Sequence, residues 1–241
     1  MVDLLVFGPH PDDSEIGMGA TIAKHVADGK SVALCDLSAG ELGTNGTPAE
    51  RRSEADAAAK VLGVCWRENL GWPDGGLSPT PELIQSAAAF LRRHRPRAIA
   101  VPYWQDRHPD HGAASETLTI AAFRSGLRRF DTGEPGEPWR PDWICYYFIN
   151  DGAEPSFVVD VSSHYDRKRE ALACYVSQFA PRTTDAQPTR LMASTFRQLI
   201  ESRDAQFGAR AGVAWAEGFV VREPVMRRSL LKRRPSGVPR P

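Results

Sequence analysis

The sequence lacks the features that mark several large classes of protein. Its formal net charge is zero, because 30 lysines and arginines balance 30 aspartates and glutamates, so no overall positive field attracts nucleic acid or an anionic membrane. The cysteines form no Cys-x-x-Cys pair, which argues against a zinc knuckle, a thioredoxin-like site or a disulfide scaffold. No apolar run approaches the roughly 20 residues of a membrane span, and no secretion signal begins the chain. We therefore expect a cytoplasmic, soluble protein with neither nucleic-acid nor membrane partners.

Length and composition fit a single domain. The chain has 241 residues, of which 41% are hydrophobic, enough for one sizeable core. We predict one domain over residues 1–225, followed by a basic, flexible C-terminal tail at residues 226–241. The arginines, lysines and prolines of this tail favour a solvated end over an anion-binding arm.

Apolar strands alternate with helical patterns along most of the chain. Strands are predicted at 4–7, 31–37, 64–70, 97–101, 143–149 and 157–161, and helices at 14–28, 47–62, 81–93, 110–126, 165–175 and 195–207. Strands that alternate with helices of this length imply right-handed crossovers. The pattern thus predicts an α/β fold with a mainly parallel sheet flanked by helices.

The loop after the first strand carries His10, Asp12 and Asp13. A loop at the end of such a strand lies at the rim of the sheet, where open α/β folds bind their ligands. His10 and Asp13 can converge on one divalent cation, which leaves the Asp12 carboxylate free to accept a proton. Alternatively, the two aspartates only cap the following helix.

A second loop of the same kind follows the strand at 97–101. It contains Arg107, His108, Asp110 and His111, and two such loops on one parallel sheet face the same rim. His111 would complete a ligand set with the His and Asp of the first loop and leave a coordination position open, as in catalytic zinc sites. The alternative is that these histidines belong to the start of the next helix.

With these two loops, the sequence resembles the PIG-L/LmbE-like zinc-dependent N-deacetylases. Further stretches carry the resemblance, at 36–47, 51–55, 69–74, 177–179 and 212–219. They are most similar to the branch that deacetylates N-acetylglucosaminyl malate in bacillithiol biosynthesis, and the likeness spans residues 2 to about 225. The resemblance implies a Rossmann-like fold, a small amino-sugar conjugate as substrate and a homo-oligomer, often a hexamer.

The resemblance also implies roles for individual residues. His10, Asp13 and His111 are the expected zinc ligands, and Asp12 is the expected general base that takes a proton from water. Imidazole and carboxylate suit iron(II) as well as zinc. His108 is placed to stabilise the oxyanion of the intermediate.

Three further residues are expected to support catalysis or substrate binding. The Asp110 carboxylate would hold the tautomer and charge of His108, as carboxylates do in hydrolase triads. The resemblance also suggests that Arg51 and Arg107 bind the substrate, since a guanidinium group matches the carboxylates of a malate conjugate; the alternative is that both form ordinary salt bridges on the helix surface and in the loop. Phe196 is a departure, because related members of this branch have a tyrosine there.

Other functions fit parts of the same pattern. The substrate could be a different N-acetylglucosamine conjugate, such as a mycothiol precursor, a chitooligosaccharide or an antibiotic sugar. Two histidines and one carboxylate also describe the ligands of non-heme iron oxygenases, although Asp12 has no obvious duty in such a site. A non-catalytic sugar- or nucleotide-binding module is a third alternative, but the first loop lacks the Gly-x-Gly-x-x-Gly pattern of dinucleotide sites.

Overall fold

A computed structural model describes residues 2–180, 184 and 186–226. One sheet organises these residues, with the strands β1 (Leu4–Gly8), β2 (Val32–Ser38), β3 (Arg67–Trp72), β4 (Ala98–Pro102), β5 (Trp143–Tyr147), β6 (Phe157–Asp160) and β7 (Ala216–Val220). The helices are α1 (Asp13–Ala27), α2 (Pro48–Leu62), α3 (Pro81–His94), α4 (Pro109–Ser125), α5 (Tyr165–Ala173), α6 (Val176–Phe179) and α7 (Ser194–Ala211). The predicted α/β fold is confirmed. All but the first residue of the predicted tail lies outside the described residues.

The order of strands across the sheet creates a crevice beside β1. The order is β3-β2-β1-β4-β5-β7-β6, and the first five strands are parallel. The chain moves from β1 through β2 to β3 on one side and then crosses to β4 on the other side. Ligands of open α/β sheets bind at such a switch point, outside the carboxyl ends of the strands. The two predicted loops follow β1 and β4, so the topology places both at this crevice.

Helices cover both faces of the sheet, and alternate residues of β1 enter different hydrophobic layers. Leu5 and Phe7 pack in the layer that contains α3 and α4, whereas Leu4 and Val6 pack in the layer that contains α1 and α2. Strands buried on both faces read as continuous apolar runs, as β1 does. None of the helices in the described part of the chain combines the length and apolarity that a bilayer span requires.

Strand β7 was not predicted from the sequence. It pairs antiparallel with β5 and β6, so the predicted mainly parallel sheet has one reversed strand among those described. Strands disfavour the residue types of Ala216, Glu217 and Gly218, so the sequence pattern does not indicate a strand here. Gly218 is required by packing, because a Cβ there would lie 2.6 Å from the Phe207 ring.

Helix α1 is interrupted, whereas the sequence predicted a continuous helix over 14–28. Met18 has φ −149° and ψ 26°, which divides the helix into a short first segment and a longer second one. Gly17 lies at the break against the Tyr147 ring, where a Cβ would come within 2.1 Å of a ring carbon. The short segment begins at the first predicted loop, so its direction determines where that loop points.

Candidate active site

The two predicted loops meet at the crevice between β1 and β4. His10 and Asp13 follow β1, and His111 lies in the first turn of α4. All three residues are buried, with relative exposures of 8%, 4% and 2%. The Oδ2 atom of Asp13 lies 3.0 Å from His10 Nδ1 and 3.3 Å from His111 Nε2. The structure therefore brings the three predicted metal ligands together in one cluster.

The two contacts of Asp13 Oδ2 are about as long as the separation expected between neighbouring ligands of a tetrahedral metal ion. Zinc bonds of about 2.0–2.1 Å separate neighbouring ligand atoms by about 3.3–3.4 Å in that geometry. Both distances from Asp13 Oδ2, 3.0 and 3.3 Å, are close to this value. Among the described residues, the groups whose ligand atoms all lie within 4.8 Å of one another are two others: His10, His108 and His111, and His10, Asp74 and Asp110. The exact ligand set thus stays a prediction, with His108 as a further candidate.

Aspartates contact the outward nitrogens of both buried imidazoles. His10 Nε2 lies 3.0 Å from Asp74 Oδ1 and 3.4 Å from Asp110 Oδ2. His111 Nδ1 lies 3.0 Å from Asp106 Oδ1. A carboxylate on the second nitrogen of a metal-binding histidine fixes the tautomer and orientation of the ring. Sequence reasoning gave Asp74 and Asp106 no role, although both lie in loops that follow parallel strands, and that position is the signal that could have found them.

Carboxylates outnumber arginines in this cluster. Arg51, 3.5 Å from Asp12, is buried beside it, whereas the cluster and its immediate surroundings contain the carboxylates of Asp12, Asp13, Asp74, Asp106 and Asp110. Burial lowers the pKa of His111, but attraction to Asp13 and the contact with Asp106 raise it to about 9. The pKa of His10 is likewise raised above its ordinary value by its three aspartate neighbours, against the effect of burial. Without a metal ion, protons on both imidazoles offset the negative charge. A divalent cation would provide the same compensation, so the donor set fits a metal ion.

Asp12 lies on the same loop in a strained backbone conformation. Its φ of 116° is in the left-handed region, which costs a residue other than glycine about 1–3 kcal/mol. The side chain is buried, and Arg51 Nη2 approaches its Oδ2 atom at 3.5 Å. Burial raises the pKa of Asp12 to about 7, although the charge of Arg51 opposes this. A carboxyl group with a pKa near neutrality is suited to accept and return a proton.

His108 borders the cluster and also caps helix α4. Its Nδ1 atom accepts a hydrogen bond of 3.3 Å from the backbone N–H of Asp110, so in the neutral ring the proton is on Nε2. Burial and the nearby charges of His111 and His10 lower the pKa of His108, which favours this neutral form. Its ring stacks on His111 with centroids 4.7 Å apart.

The expected contact between the Asp110 carboxylate and His108 is not what the structure shows. Asp110 Oδ2 accepts a hydrogen bond of 2.8 Å from the backbone N–H of Gly75 and faces His10. The reason is that His108 is the capping residue of α4, and the side chain of a capping residue accepts a hydrogen bond from a backbone N–H in the first turn of the helix. Asp110 therefore determines the tautomer of His108 through its backbone, while its carboxylate belongs to the surroundings of His10.

A cavity of about 520 Å³ opens onto the cluster. Its walls include Asp12, His108 and the polar residues Asn150 and Thr189. A shallower depression of about 640 Å³ lies along α7 and contains none of the histidines or aspartates of the cluster. The three predicted metal ligands, together with Asp12 and His108, thus face the first cavity.

The two predicted substrate-binding arginines are placed differently around this cavity. The Arg51 guanidinium is buried and donates to the carbonyl oxygens of Pro11 and Gly40 at 2.7 and 3.0 Å, which holds the loop beside Asp12. Arg107 is exposed at the cavity and has no ion-pair partner among the described residues. Arg190, which sequence reasoning did not single out, also lines the cavity and lies over the Phe196 ring at 5.4 Å.

Phe196 lies in the cavity wall, where the resemblance led us to expect a tyrosine. The described residues that line the cavity include no tyrosine. A phenyl ring cannot donate a hydrogen bond. The Nε2 proton of His108 is therefore a donor that remains available to a substrate oxygen.

Comparison with a family model identifies the part of the chain that holds these residues. The model of the PIG-L family, described as GlcNAc-PI de-N-acetylase, matches residues 5–123. This range runs from β1 into α4 and includes both loops of the cluster.

Similarity to known proteins extends beyond that range. A crystal structure of a conserved protein from Thermus thermophilus is 39% identical, with a TM-score of 0.87 over 97% of this chain and 100% of that one. A diacetylchitobiose deacetylase from Thermococcus kodakarensis is 29% identical over 189 residues, covering 73% of this chain and 70% of the relative. A 1D-myo-inositol 2-acetamido-2-deoxy-alpha-D-glucopyranoside deacetylase from Nocardioides sp. is 28% identical over 257 residues, covering 76% and 84%.

Proposed function

Because the chain belongs to the PIG-L family, we propose that it is a zinc-dependent hydrolase that removes the N-acetyl group from an N-acetylglucosamine conjugate. The observation that carries this proposal is the buried contact of Asp13 with His10 and His111, beside an Asp12 carboxylate on the same loop. The names of two relatives describe deacetylases of acetylated amino sugars, which supports this substrate class.

The residues of the site divide the work of amide hydrolysis. A bound zinc ion would polarise the amide carbonyl and lower the pKa of water, with His10, Asp13 and His111 as its ligands. Asp12 accepts the proton that water loses as it adds to the carbonyl carbon. The Nε2–H of His108 donates to the carbonyl oxygen as that oxygen becomes negative. As the C–N bond breaks, Asp12 returns this proton to the departing nitrogen, which yields acetate and the free amine.

For the substrate, we propose N-acetylglucosaminyl malate, as in bacillithiol biosynthesis. Arg107 and Arg190 support this choice, because both line the cavity and neither has a carboxylate partner among the described residues. Guanidinium groups bind carboxylates through two parallel hydrogen bonds. Asn150 and Thr189 are polar groups of the same cavity that suit sugar hydroxyls.

Replacement of Arg107 or Arg190 by alanine should weaken binding of the malate conjugate selectively. A hydrogen bond to a charged group contributes about 1.5–3 kcal/mol, so its loss corresponds to a rise in KM of about 10–150-fold. For diacetylchitobiose, which has no carboxylate, we expect KM to stay within about twofold. Acetate release at varied substrate concentration measures both values.

Arg197→Ala is the matched control, because Arg197 is an exposed arginine of α7 that lines the other depression. An equal change of KM for both substrates, or none for the malate conjugate, would refute the proposed role of the arginines. A panel that adds a mycothiol precursor and an antibiotic amino sugar tests the substrate itself. If another conjugate has the highest kcat/KM, the malate assignment is wrong while the deacetylase assignment stands.

A further inference from the structure

The break in α1 is satisfied on both sides by charged side chains from the C-terminal part of the chain. In an unbroken helix, the N–H of Ala20 donates to the carbonyl of Ile16. Here the N–H of Ala20 donates to Glu217 Oε1 at 3.2 Å, and the carbonyl of Ile16 accepts from Arg203 Nη2 at 3.0 Å. The next N–H, of Thr21, donates to Glu217 Oε2 at 2.6 Å. Glu217 thus caps the second helical segment, and Arg203 caps the end of the first.

A buried network holds these two caps in place. Lys168 Nζ contacts Glu217 Oε1 and Asp204 Oδ2, both at 2.7 Å. Asp204 also accepts from Arg203 Nε at 3.0 Å and from the Tyr165 hydroxyl at 2.9 Å. Glu217, Asp204 and Lys168 are all at most 1% exposed. Burial of charged side chains costs free energy unless each charge is paired. Here the charges pair with one another, and Glu217 and Arg203 also form hydrogen bonds with the backbone of α1.

The short first segment connects this break directly to the catalytic loop. It starts at Asp13, immediately after the strained Asp12, and ends one turn later at the break. Arg203 also donates to the carbonyl oxygens of Phe148 and Ile149, both at 2.9 Å, and Ile149 lines the cavity. The same guanidinium therefore ties the end of the segment to the cavity wall.

We propose that Glu217 and Arg203 are positioning residues that fix the break in α1 and thereby the direction in which Asp12 and Asp13 point. This inference rests on the proposed function for its catalytic consequence, but not for its structural one. It also explains the stretch 212–219, which carried the family resemblance without an assigned role: strand β7 delivers Glu217 to the break.

The test combines metal binding, amide exchange and kinetics for Glu217→Ala and Arg203→Ala. Outer residues that orient metal ligands typically change metal affinity or activity by about 10–100-fold, and we expect zinc affinity and kcat to fall by that factor, with KM within about twofold. Hydrogen exchange of the amides in the peptide covering residues 13–21 should accelerate in Glu217→Ala. Glu217→Gln keeps one acceptor oxygen for these amides and should recover most of the zinc affinity.

Tyr165→Phe is the control, because it removes a hydrogen bond of the same network without removing a group that bonds the α1 backbone. It should lower thermal stability and leave zinc affinity and kcat unchanged. If Tyr165→Phe loses as much zinc affinity as Glu217→Ala, or if folded Glu217→Ala and Arg203→Ala bind zinc as the wild type does, the positioning role is refuted. If Glu217→Ala fails to fold, Arg203→Ala provides the test, because it removes the cap on the other side of the break. Zinc affinity and amide exchange need no substrate, so they stand even if the proposed reaction fails.

Discussion

Asp12→Asn is expected to lower acetate release by about 10²–10⁴-fold while zinc affinity stays near that of the wild type. Asparagine keeps the size of the side chain but cannot accept a proton at neutral pH. The predicted ligands His10, Asp13 and His111 are untouched, so metal binding and turnover should separate in this variant. Metal content after dialysis and kcat for the same preparation measure the two effects.

The same substitution should stabilise the metal-free protein, and more at high pH than at low pH. Burial raises the pKa of Asp12 in the folded state from its ordinary 3.8 to about 7. Between these values the folded state binds more protons than the unfolded state, so the ionised carboxylate destabilises the fold as pH rises. We expect the gain in Tm of chelator-treated Asp12→Asn over the wild type to be larger at pH 8 than at pH 4.

Asp28→Asn serves as the control for this pair of effects, because Asp28 is an exposed residue at the end of α1 that pairs with Lys24. It should change neither turnover nor the pH dependence of Tm. Turnover of Asp12→Asn within tenfold of the wild type, or loss of its bound zinc, would remove Asp12 from the role of general base.

Arg67→Met should destabilise the protein by about 3–5 kcal/mol, the usual effect of removing one partner from a buried ion pair. Arg67 donates to both oxygens of Asp36 at 2.7 Å and to Glu15 Oε1 at 2.6 Å. Its side chain is 3% exposed, and those of Asp36 and Glu15 are 4% and 0% exposed. Methionine would fill part of the volume but leave two carboxylates without their cation. Denaturant unfolding monitored by circular dichroism gives the free energy of unfolding.

Arg52→Met on the outer face of α2 is the matched control, with an expected change within about 0.5 kcal/mol. Addition of Glu15→Gln and Asp36→Asn to Arg67→Met should restore part of the lost stability, because the unpaired charges are then gone. A loss below about 1 kcal/mol for Arg67→Met would show that the two carboxylates find other compensation.

The sequence best predicted those parts of the site whose residues lie close together along the chain. His10, Asp12 and Asp13 lie within four positions of one another in the loop after β1. The second loop follows β4, which lies next to β1 in the sheet, so the positions of the strand ends were enough to predict that the two loops meet. The contact of Asp74 with His10 spans 64 positions and depends on how the loop after β3 folds back. Such a contact leaves no periodic signal.

The break in α1 and strand β7 were missed for one physical reason. Ile16, Ala20 and Ala23 recur at helical spacing, so local pattern predicted an unbroken helix. The groups that make the break favourable, on Glu217 and Arg203, come from nearly 200 positions away. Hydrogen bonds from distant residues outweigh the local preference of this segment for an unbroken helix. They also stabilise the buried side chain of Glu217 in β7, although strands disfavour glutamate.

The most direct measurement of the central claim is the fate of solvent oxygen in the reaction. Zinc-loaded protein would be incubated with N-acetylglucosaminyl malate in ¹⁸O-labelled water without dioxygen, and the products analysed by mass spectrometry. We expect acetate with a single labelled oxygen, an equal amount of free amine, and no reaction after chelation until zinc is restored. Absence of acetate from this and every other N-acetylglucosamine conjugate, or a product that forms only with dioxygen, would contradict a metal-dependent N-deacetylase.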